Sequence, residues 1–168
     1  MSDAVASPFE IRAAQREDLA AIVGMVRALA DYERLAHLCV ATEGDLETSL
    51  FGPRRAAEVL ISWKGTESAA FALFFHNFST FLGRPGLWLE DLYVRPPYRR
   101  QGCAKALLQA LAQIAVERGC GRFEWAVLDW NAPAIEFYQG VGAAVLPDWR
   151  IVRVVGPALT ALANGTRS

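Results

Sequence analysis

The sequence predicts an α/β fold with a mixed central sheet, and three observations support this fold class. Segments with the apolar spacing of amphipathic helices are interspersed with segments rich in β-branched and aromatic residues. Strand-like segments follow one another directly in the middle of the chain, which is typical of an antiparallel meander. A strand–helix–strand succession comes next and places its two strands parallel, given the usual crossover hand. The predicted order is β-α-α-β-β-β-α-β-α-β-β, with about seven strands and four helices.

The first part of the chain predicts a short strand followed by two helices. Residues 9–12 alternate between apolar and polar side chains, which is the period of a strand with one buried face. Over residues 19–30 the apolar side chains recur at three-and-four spacing, which predicts a helix. Thr42 followed three residues later by Asp45 is a variant of the capping box and predicts a short helix through Leu50.

Three strands are predicted in the middle of the chain, over residues 58–63, 69–76 and 87–94. The sequence Lys-Gly-Thr at 64–66 is a hairpin signal between the first two strands. Glycine and proline at 83–86 predict a turn before the third strand. The three strands are therefore expected to form a meander.

The helix that follows Gly102 has the clearest pattern in the sequence. Its apolar and polar side chains fall on opposite faces, and Gly119 and Gly121 are expected to end it. The apolar face consists of Ala104, Leu107, Leu108, Leu111, Ile114 and Ala115. Residues 123–128 then predict a fifth strand, parallel to the strand before the helix.

The last part of the chain predicts one more helix and two closing strands. Asn131 is expected to cap the helix, with Pro133 in its first turn and an end near Gly140. Val145 and the β-branched run at 151–155 are expected to supply the closing strands.

Composition limits the classes of protein to which the chain can belong. Its 168 residues suit one domain, expected over 8–163, with 1–7 and 164–168 as loose termini. A net charge of −1 gives no basic face for nucleic acid. Three cysteines without a Cys-x-x-Cys pair suit the reducing cytoplasm and argue against disulfides and structural zinc. No apolar run reaches membrane-spanning length, so we expect a cytoplasmic protein without a membrane or nucleic-acid partner.

The junction between the strand at 87–94 and the next helix predicts a phosphate-binding turn. Gly102 opens the helix directly after a proline-bounded loop, so free backbone N–H groups and the helix dipole favour an anion there. Arg99, Arg100 and Lys105 add positive charge beside that turn. The segment lacks the Gly-Lys-Ser/Thr ending of a nucleotide-binding P-loop. A ligand with several phosphates is therefore expected, but not in a P-loop.

Two motifs about 40 residues apart connect this turn to a known family. The first is Arg99-x-x-Gly102-x-Ala104, and the second is Asp-Trp-Asn-Ala-Pro-Ala-Ile-Glu-Phe-Tyr at 129–138. In this order of elements they resemble the GNAT superfamily of acetyl-coenzyme A-dependent N-acetyltransferases. The resemblance implies a single GNAT-like domain.

Further segments are similar to one branch, the diamine (spermidine/spermine) and thialysine N-acetyltransferases. They are Leu-Ala-Asp-Tyr-Glu at 29–33, Leu-Glu-Asp-Leu-Tyr-Val at 89–94 and the Trp-Asn-x-Pro start of the second motif. The likeness covers nearly the whole chain, from about residue 11 to about residue 153.

The resemblance implies acetyl-coenzyme A (acetyl-CoA) as the donor, and no metal is expected. The residues expected to bind the donor are Leu92, Tyr93, Val94, Arg99, Arg100, Gln101, Gly102, Cys103, Ala104, Lys105, Asn131, Pro133 and Ala134. Cys103 can be read as a reactive thiol or as a small packing residue, and the second reading is preferred because acetyl transfer needs no enzyme thiol. His37 and His76 are too scattered for a metal site.

The resemblance also implies the catalytic groups. Tyr138 is expected to be the general acid for the departing thiolate, since a tyrosine stays protonated at neutral pH; a packing role is the alternative. Glu90 is expected to be the base for the acceptor ammonium, with Asp91 on the opposite strand face; a solvated carboxylate is the alternative. A backbone N–H at Leu92 is expected to stabilise the oxyanion.

The acceptor is expected to be a small primary amine, either a short diamine or a thialysine-like amino acid. The residues expected to contact it are Tyr32, Glu33, Glu90, Glu124, Trp125 and Ala126. Ala36 and His37 replace an acidic pair of the diamine enzymes, and Pro147-Asp148 shortens their acidic loop, which argues against spermine. The alternatives are a protein lysine or N-terminal acetyltransferase and a non-catalytic CoA-binding sensor. A homodimer through 151–155 is also expected.

Overall fold

A computed structural model of the protein describes residues 8–165, which form two compact units at 8–126 and 127–165. Of the expected loose termini, 1–7 and 166–168 lie outside the described residues, whereas Asn164 and Gly165 lie in a turn after the last helix. No helix within residues 8–165 is both long enough and apolar enough to cross a membrane.

The first unit contains a five-stranded sheet in the order β1-β2-β3-β4-β5. The strands are β1 (Glu10–Ala13), β2 (Glu58–Lys64), β3 (Glu67–Ser79), β4 (Arg84–Val94) and β5 (Arg122–Trp125). The first four strands pair antiparallel, and β5 is parallel to β4. The predicted meander and the parallel crossover are therefore confirmed.

The turn predicted at 83–86 is shorter than expected, because β4 begins at Arg84. Gly83 has a φ of 61° and lies in the turn, but Gly86 pairs with Asn77 inside the sheet. A Cβ atom on Gly86 would lie 2.2 Å from Oδ1 of Asn77. This glycine is therefore suited to a close approach within the sheet rather than to a turn.

Three α-helices complete the first unit: α1 (Leu19–Tyr32), α2 (Glu43–Phe51) and α3 (Cys103–Glu117). The predicted capping box of α2 is confirmed. The backbone N–H of Asp45 donates to Oγ1 of Thr42 at 3.2 Å, and that of Thr42 donates to Oδ2 of Asp45 at 2.9 Å.

The helices cover the two faces of the sheet. On one face, α1 and α2 bury a cluster formed by Ile22, Met25, Leu29, Leu50, Val59, Ile61, Phe71 and Tyr93. Side chains that alternate to the other face, such as Phe74, lie near α3, where the Arg118 guanidinium is 5.9 Å from the Phe74 ring. The core of the first unit therefore fixes both α1 and α3 relative to β4.

The second unit contains α4 (Ala132–Gly140) and α5 (Gly156–Ala163), joined by irregular chain at 143–155. The closing strands expected at Val145 and 151–155 are wrong, so the described residues contain five strands and five α-helices. β-branched residues favour a strand only where a neighbouring strand accepts their backbone hydrogen bonds. Within the described residues this segment has no such neighbour, and Val152 is 90% exposed.

Candidate active site

The pairing of β4 changes at Glu90, and this change opens one end of the strand. Leu89 pairs with Phe74 and Asp91 pairs with Leu73, so Glu90 lies in a β-bulge without a partner on β3. The parallel pairing with β5 ends at Leu89, opposite Trp125. From Glu90 onward, β3 is the one strand within 8–126 that pairs with β4. The bulge therefore marks where β4 and β5 separate, and residues 90–94 are called the open end of β4 below.

The loop after β4 leads into α3 through two residues with left-handed backbone. Arg100 has a φ of 60°, and Gly102, which is the N-cap of α3, has a φ of 83°. No side chain caps the helix, so the first-turn N–H groups remain available for a ligand. A Cβ atom on Gly102 would meet nothing within 4 Å. These features fit the pyrophosphate that the sequence predicts at this turn.

The side chains around this turn differ in their contacts. The Arg99 guanidinium lies 5.0 Å from the ring centroid of Tyr32 and 5.8 Å from that of Tyr93. Its Nε atom donates to the carbonyl oxygen of Val94 at 3.0 Å. Gln101 donates to the carbonyl oxygen of Pro97 at 2.7 Å. The side chain of Arg99 is therefore directed toward α1 and β4.

The Cys103 side chain lies in the core of the first unit. It is 1% exposed, and its Sγ atom donates to Oγ of Ser62 at 3.1 Å. Burial raises the pKa of the Cys103 thiol, so the thiol stays protonated. This environment fits packing rather than nucleophilic chemistry.

Three carboxylates of the first unit interact at the open end of β4. Burial, with the nearby negative charges of Glu90 and Glu33, raises the pKa of Asp91 to about 6. Burial also raises the pKa of Glu33, which follows α1 as its C-cap. Oε2 of Glu90 accepts a hydrogen bond from Nε1 of Trp88 at 2.8 Å. The arrangement concentrates negative charge where a cation would be attracted.

Sequence reasoning did not single out Trp88, and it gave Asp91 a secondary role. For Asp91 the bulge at Glu90 is the reason, because the alternation of side chains between the two faces of a sheet does not hold through a residue without a partner on the neighbouring strand. The spacing of Trp88 and Glu90, two positions apart on a predicted strand, was an available signal of their contact.

The acceptor residues predicted on β5 are more engaged within the sheet than expected. Oε2 of Glu124 lies 2.7 Å from Nε of Arg122 and accepts from Nδ2 of Asn77 at 3.3 Å. The Trp125 ring packs at 4.9 Å from the Phe123 ring. Because a cation already faces Glu124, its charge is partly balanced. Ala126 follows directly as the last residue of this unit.

The second unit carries the predicted general acid on α4. The ring of Tyr138 lies 5.4 Å from that of Phe137, and its carbonyl oxygen accepts from the N–H of Ala143. Pro133 lies in the first turn of α4, as predicted.

Asn131 takes the N-cap position of α4, but its side chain makes no capping hydrogen bond. The cap is formed by the backbone instead. The carbonyl oxygen of Asn131 accepts from the N–H groups of Ala134 and Ile135, each at 3.1 Å. The predicted N-cap position of Asn131 is therefore confirmed, but its backbone carbonyl rather than its side-chain amide makes the capping bonds.

Taken together, the open end of β4 and the glycine-capped start of α3 define a protein with a candidate site for a phosphate-bearing ligand. Comparison with known families is more specific. Residues 9–143 match the model of the acetyltransferase (GNAT) family, and the chain belongs to this family. The protein is therefore an acetyltransferase, and enzymes of this family use acetyl-CoA as donor.

Curated relatives include two enzymes with named amine substrates. The chain is 34% identical to L-ornithine N5-acetyltransferase NATA1 of Arabidopsis thaliana, over 90% of this chain and 86% of the relative. It is also 34% identical to thialysine N-epsilon-acetyltransferase of Sus scrofa, over 92% of this chain and 96% of the relative.

Solved structures agree on the fold. An integron cassette protein from the mobile metagenome of V. cholerae has a TM-score of 0.78 and 25% identity, and the match covers 93% of this chain and 98% of that one. An aminoglycoside acetyltransferase from soil metagenomic DNA has a TM-score of 0.76 at 15% identity, covering 90% of this chain and 99% of that one. The latter is similar in fold alone.

Proposed function

We propose that the protein transfers the acetyl group of acetyl-CoA to the terminal amine of a small basic amino acid or a short diamine. The observation that carries this proposal is the group of interacting carboxylates Glu33, Glu90 and Asp91 at the open end of β4. An alkylammonium ion is the natural partner of such a group. The names of the relatives, which specify ornithine and thialysine, support the same class of acceptor.

Donor binding is assigned to the turn that begins α3, to the end of β4 and to the start of α4. When bound, acetyl-CoA supplies an activated acetyl group as a thioester. The N–H groups that follow Gly102 bind its pyrophosphate, with Arg99, Arg100 and Lys105 as the supporting cations. Leu92, Tyr93 and Val94 bind the pantetheine arm, and Asn131, Pro133 and Ala134 are assigned to donor contacts from α4. The open geometry at Gly102 supports the first of these assignments.

Proton transfer is assigned to the side chains of Glu90 and Tyr138. The amine must lose a proton before it attacks, and Glu90 takes that proton at its carboxylate, directly or through water. Asp91 lies next to Glu90 in the chain and shares its negative field. The backbone N–H of Leu92 stabilises the negative charge that develops on the acetyl oxygen. The Tyr138 hydroxyl gives its proton to the departing sulfur.

Acceptor length is limited by the number of uncompensated carboxylates. Glu33, Glu90 and Asp91 suit one ammonium group, and Glu124 is already paired with Arg122. A long polyamine carries further charges that need further carboxylates. Each missing ionic contact at a partly exposed position is worth roughly 0.5 to 1 kcal/mol. Short acceptors are therefore favoured over spermine.

A thiol-release assay with acetyl-CoA tests the proposal. Specificity constants are measured for ornithine, thialysine, a short diamine, spermine and a lysine-containing peptide. Ornithine, thialysine or the short diamine should exceed spermine by about tenfold or more, which corresponds to 1.4 kcal/mol. A preference for the peptide would indicate a protein acetyltransferase instead. Acetyl-CoA binding without turnover on any amine would indicate a CoA-binding sensor.

A further inference from the structure

We propose that Arg99 is a positioning residue that holds the C-terminal end of α1 against the end of β4, on the acceptor side of the site. The inference rests on the proposed function, which assigns Glu33 to the acceptor; Tyr32 precedes Glu33 at the end of α1. Its basis is the position of the Arg99 guanidinium, which lies over two tyrosine rings of different elements. The distances to their centroids are 5.0 Å for Tyr32 and 5.8 Å for Tyr93.

One side of this arrangement is anchored in the core. Tyr93 is 7% exposed and belongs to the cluster that α1 and α2 bury against the sheet. The Nε atom of Arg99 donates to the carbonyl oxygen of Val94, the last residue of β4. The guanidinium is therefore fixed at the end of β4 by a hydrogen bond and a ring contact.

The other side of the arrangement is the exposed end of a helix. Tyr32 is the last residue of α1 and is 41% exposed, so core packing alone does not hold its ring. Helix ends fray where packing is weak. A cation stacked on the Tyr32 ring opposes this fraying and ties the last turn of α1 to β4.

The position of the Glu33 carboxylate depends on where α1 ends. The N–H of Glu33 donates to the carbonyl oxygen of Leu29 at 2.9 Å, and Arg34 then takes a φ of 62°, which turns the chain away. Glu33 acts on Asp91 through its charge, so the two carboxylates share one local field. Release of the last turn of α1 would move Glu33 away from Asp91 and weaken the binding of a cationic acceptor.

Arg100 provides a matched comparison, because it is the next residue and carries the same charge. Its side chain makes no hydrogen bond, ion pair or ring contact within residues 8–165. The two arginines therefore differ in their contacts within the protein. Arg100 is available to a phosphate, and Arg99 is engaged with α1 and β4.

The first experiment compares Arg99→Gln with Arg100→Gln in the full chain. Calorimetry gives the Kd for acetyl-CoA, and thiol release gives KM and kcat for ornithine. Arg99→Gln should raise the KM for ornithine, measured at saturating acetyl-CoA, by about twofold to fivefold, as expected for loss of a cation–ring contact at an exposed position. Its Kd for acetyl-CoA should also rise, because Arg99 is one of the cations assigned to the phosphates. Arg100→Gln should raise the Kd for acetyl-CoA and leave the KM for ornithine unchanged.

A double-mutant cycle tests whether Arg99 acts through the Tyr32 ring. Tyr32→Leu removes the ring, and the combined variant should be no worse than either single variant, because both remove the same contact. Tyr32→Phe keeps the ring, so Arg99→Gln should raise the KM for ornithine in that background as it does in wild type. Arg99→Lys keeps the charge but not the planar stack, so its KM should fall between wild type and Arg99→Gln.

A third measurement tests the contact between Arg99 and Tyr32 in the absence of an acceptor. Amide hydrogen exchange over residues 29–35 of the free protein should be faster in Arg99→Gln than in wild type, and unchanged in Arg100→Gln. If no amine is acetylated, the proposed function fails, but hydrogen exchange still decides the role of Arg99. Unchanged exchange in Arg99→Gln, or an unchanged KM for ornithine in that variant at saturating acetyl-CoA, would overturn the proposal.

Discussion

Asp91 is held in a location that disfavours its own charge. It pairs with Leu73 on the face that buries Tyr93, and Glu90 and Glu33 are the charges that act on it. Burial and these like charges raise its pKa to about 6. A group with a pKa this close to neutral can accept and release protons at working pH. We therefore expect the charge of Asp91 to lower the free energy of unfolding and, in exchange, to favour the binding of a cationic acceptor.

The pH dependence of stability follows from the direction of this shift. The folded protein binds the Asp91 proton more tightly than the unfolded chain does, so wild type loses stability as pH rises from about 4 to 6. Asp91→Asn removes this loss. The variant should be more stable than wild type by roughly 1 to 3 kcal/mol at pH 7.5 and about equal at pH 4. Urea unfolding at both pH values measures the difference.

Asp31→Asn is the control for this prediction, because Asp31 is exposed on the neighbouring α1. It should change the free energy of unfolding by less than about 0.5 kcal/mol at either pH. An Asp91→Asn variant that is less stable than wild type at pH 7.5 would contradict the account. The same variant should acetylate ornithine more slowly, since it lacks one carboxylate of the acceptor site.

Tyr138 carries the second prediction for single residues. Tyr138→Phe keeps the ring that packs beside Phe137 and removes the hydroxyl proton. Turnover should fall by roughly a hundredfold or more, while folding and acetyl-CoA binding survive. Tyr98→Phe, in the loop after β4, is the control and should keep turnover near wild type. Near-normal single-turnover rates in Tyr138→Phe would assign the proton to water or to another group.

The junction between the loop and α3 shows why glycine is required at a single position. With a φ of 83°, Gly102 has a backbone that other residues adopt at a cost of about 1 to 2 kcal/mol. The space around it is open in the absence of a ligand. The structural reason for glycine here is therefore its backbone, and the functional reason that we propose is room for a phosphate.

A pair of alanine variants separates these two reasons. Gly65 lies in the β2–β3 turn with a φ of 60°, and a Cβ atom there would also meet nothing within 4 Å. Gly102→Ala and Gly65→Ala should therefore each lower the free energy of unfolding by about 1 to 2 kcal/mol. Only Gly102→Ala should weaken acetyl-CoA binding, as measured by calorimetry. Equal acetyl-CoA affinity in the two variants would show that the phosphate does not bind at this turn.

Elements defined by local pattern could be predicted from the sequence. Helix α3 and the Thr42–Asp45 box of α2 depend on spacing and capping within a few residues, and both are present. The closing strands depend on a partner from elsewhere in the chain, which local pattern cannot supply, so 151–155 was misread. The bulge at Glu90 was missed for a related reason, since it is a property of pairing between β3 and β4.

The candidate site could be predicted as a set of residue types but not as a set of contacts. The motif identifies Arg99 as a cation beside the phosphate turn. Its contacts with Tyr32 and Tyr93 join residues far apart in the sequence. Glu124 likewise reads as a free carboxylate until Arg122 and Asn77 are found beside it. Pairing between side chains is what the sequence alone could not supply.

At the scale of the whole molecule, exposed apolar side chains are concentrated near the end of the chain. In the second unit Ile151 is 66% exposed, Val152 is 90% exposed and Leu162 is 66% exposed. Several exposed apolar side chains on a protein with a net charge of −1 favour association, since charge repulsion between copies is weak. The homodimer expected from the sequence is therefore proposed to cover the segment 151–155.

The prediction is that the protein sediments at twice its chain mass at micromolar concentration. Val152→Glu places a charge on this apolar segment and should shift the protein toward monomer without unfolding it, because the side chain is exposed. Val116→Glu is the matched control: Val116 is 79% exposed on α3, outside the segment, and its variant should remain dimeric. A wild-type protein that sediments as a monomer would contradict the prediction. If Val152→Glu remains a dimer, the interface lies on another surface of the protein.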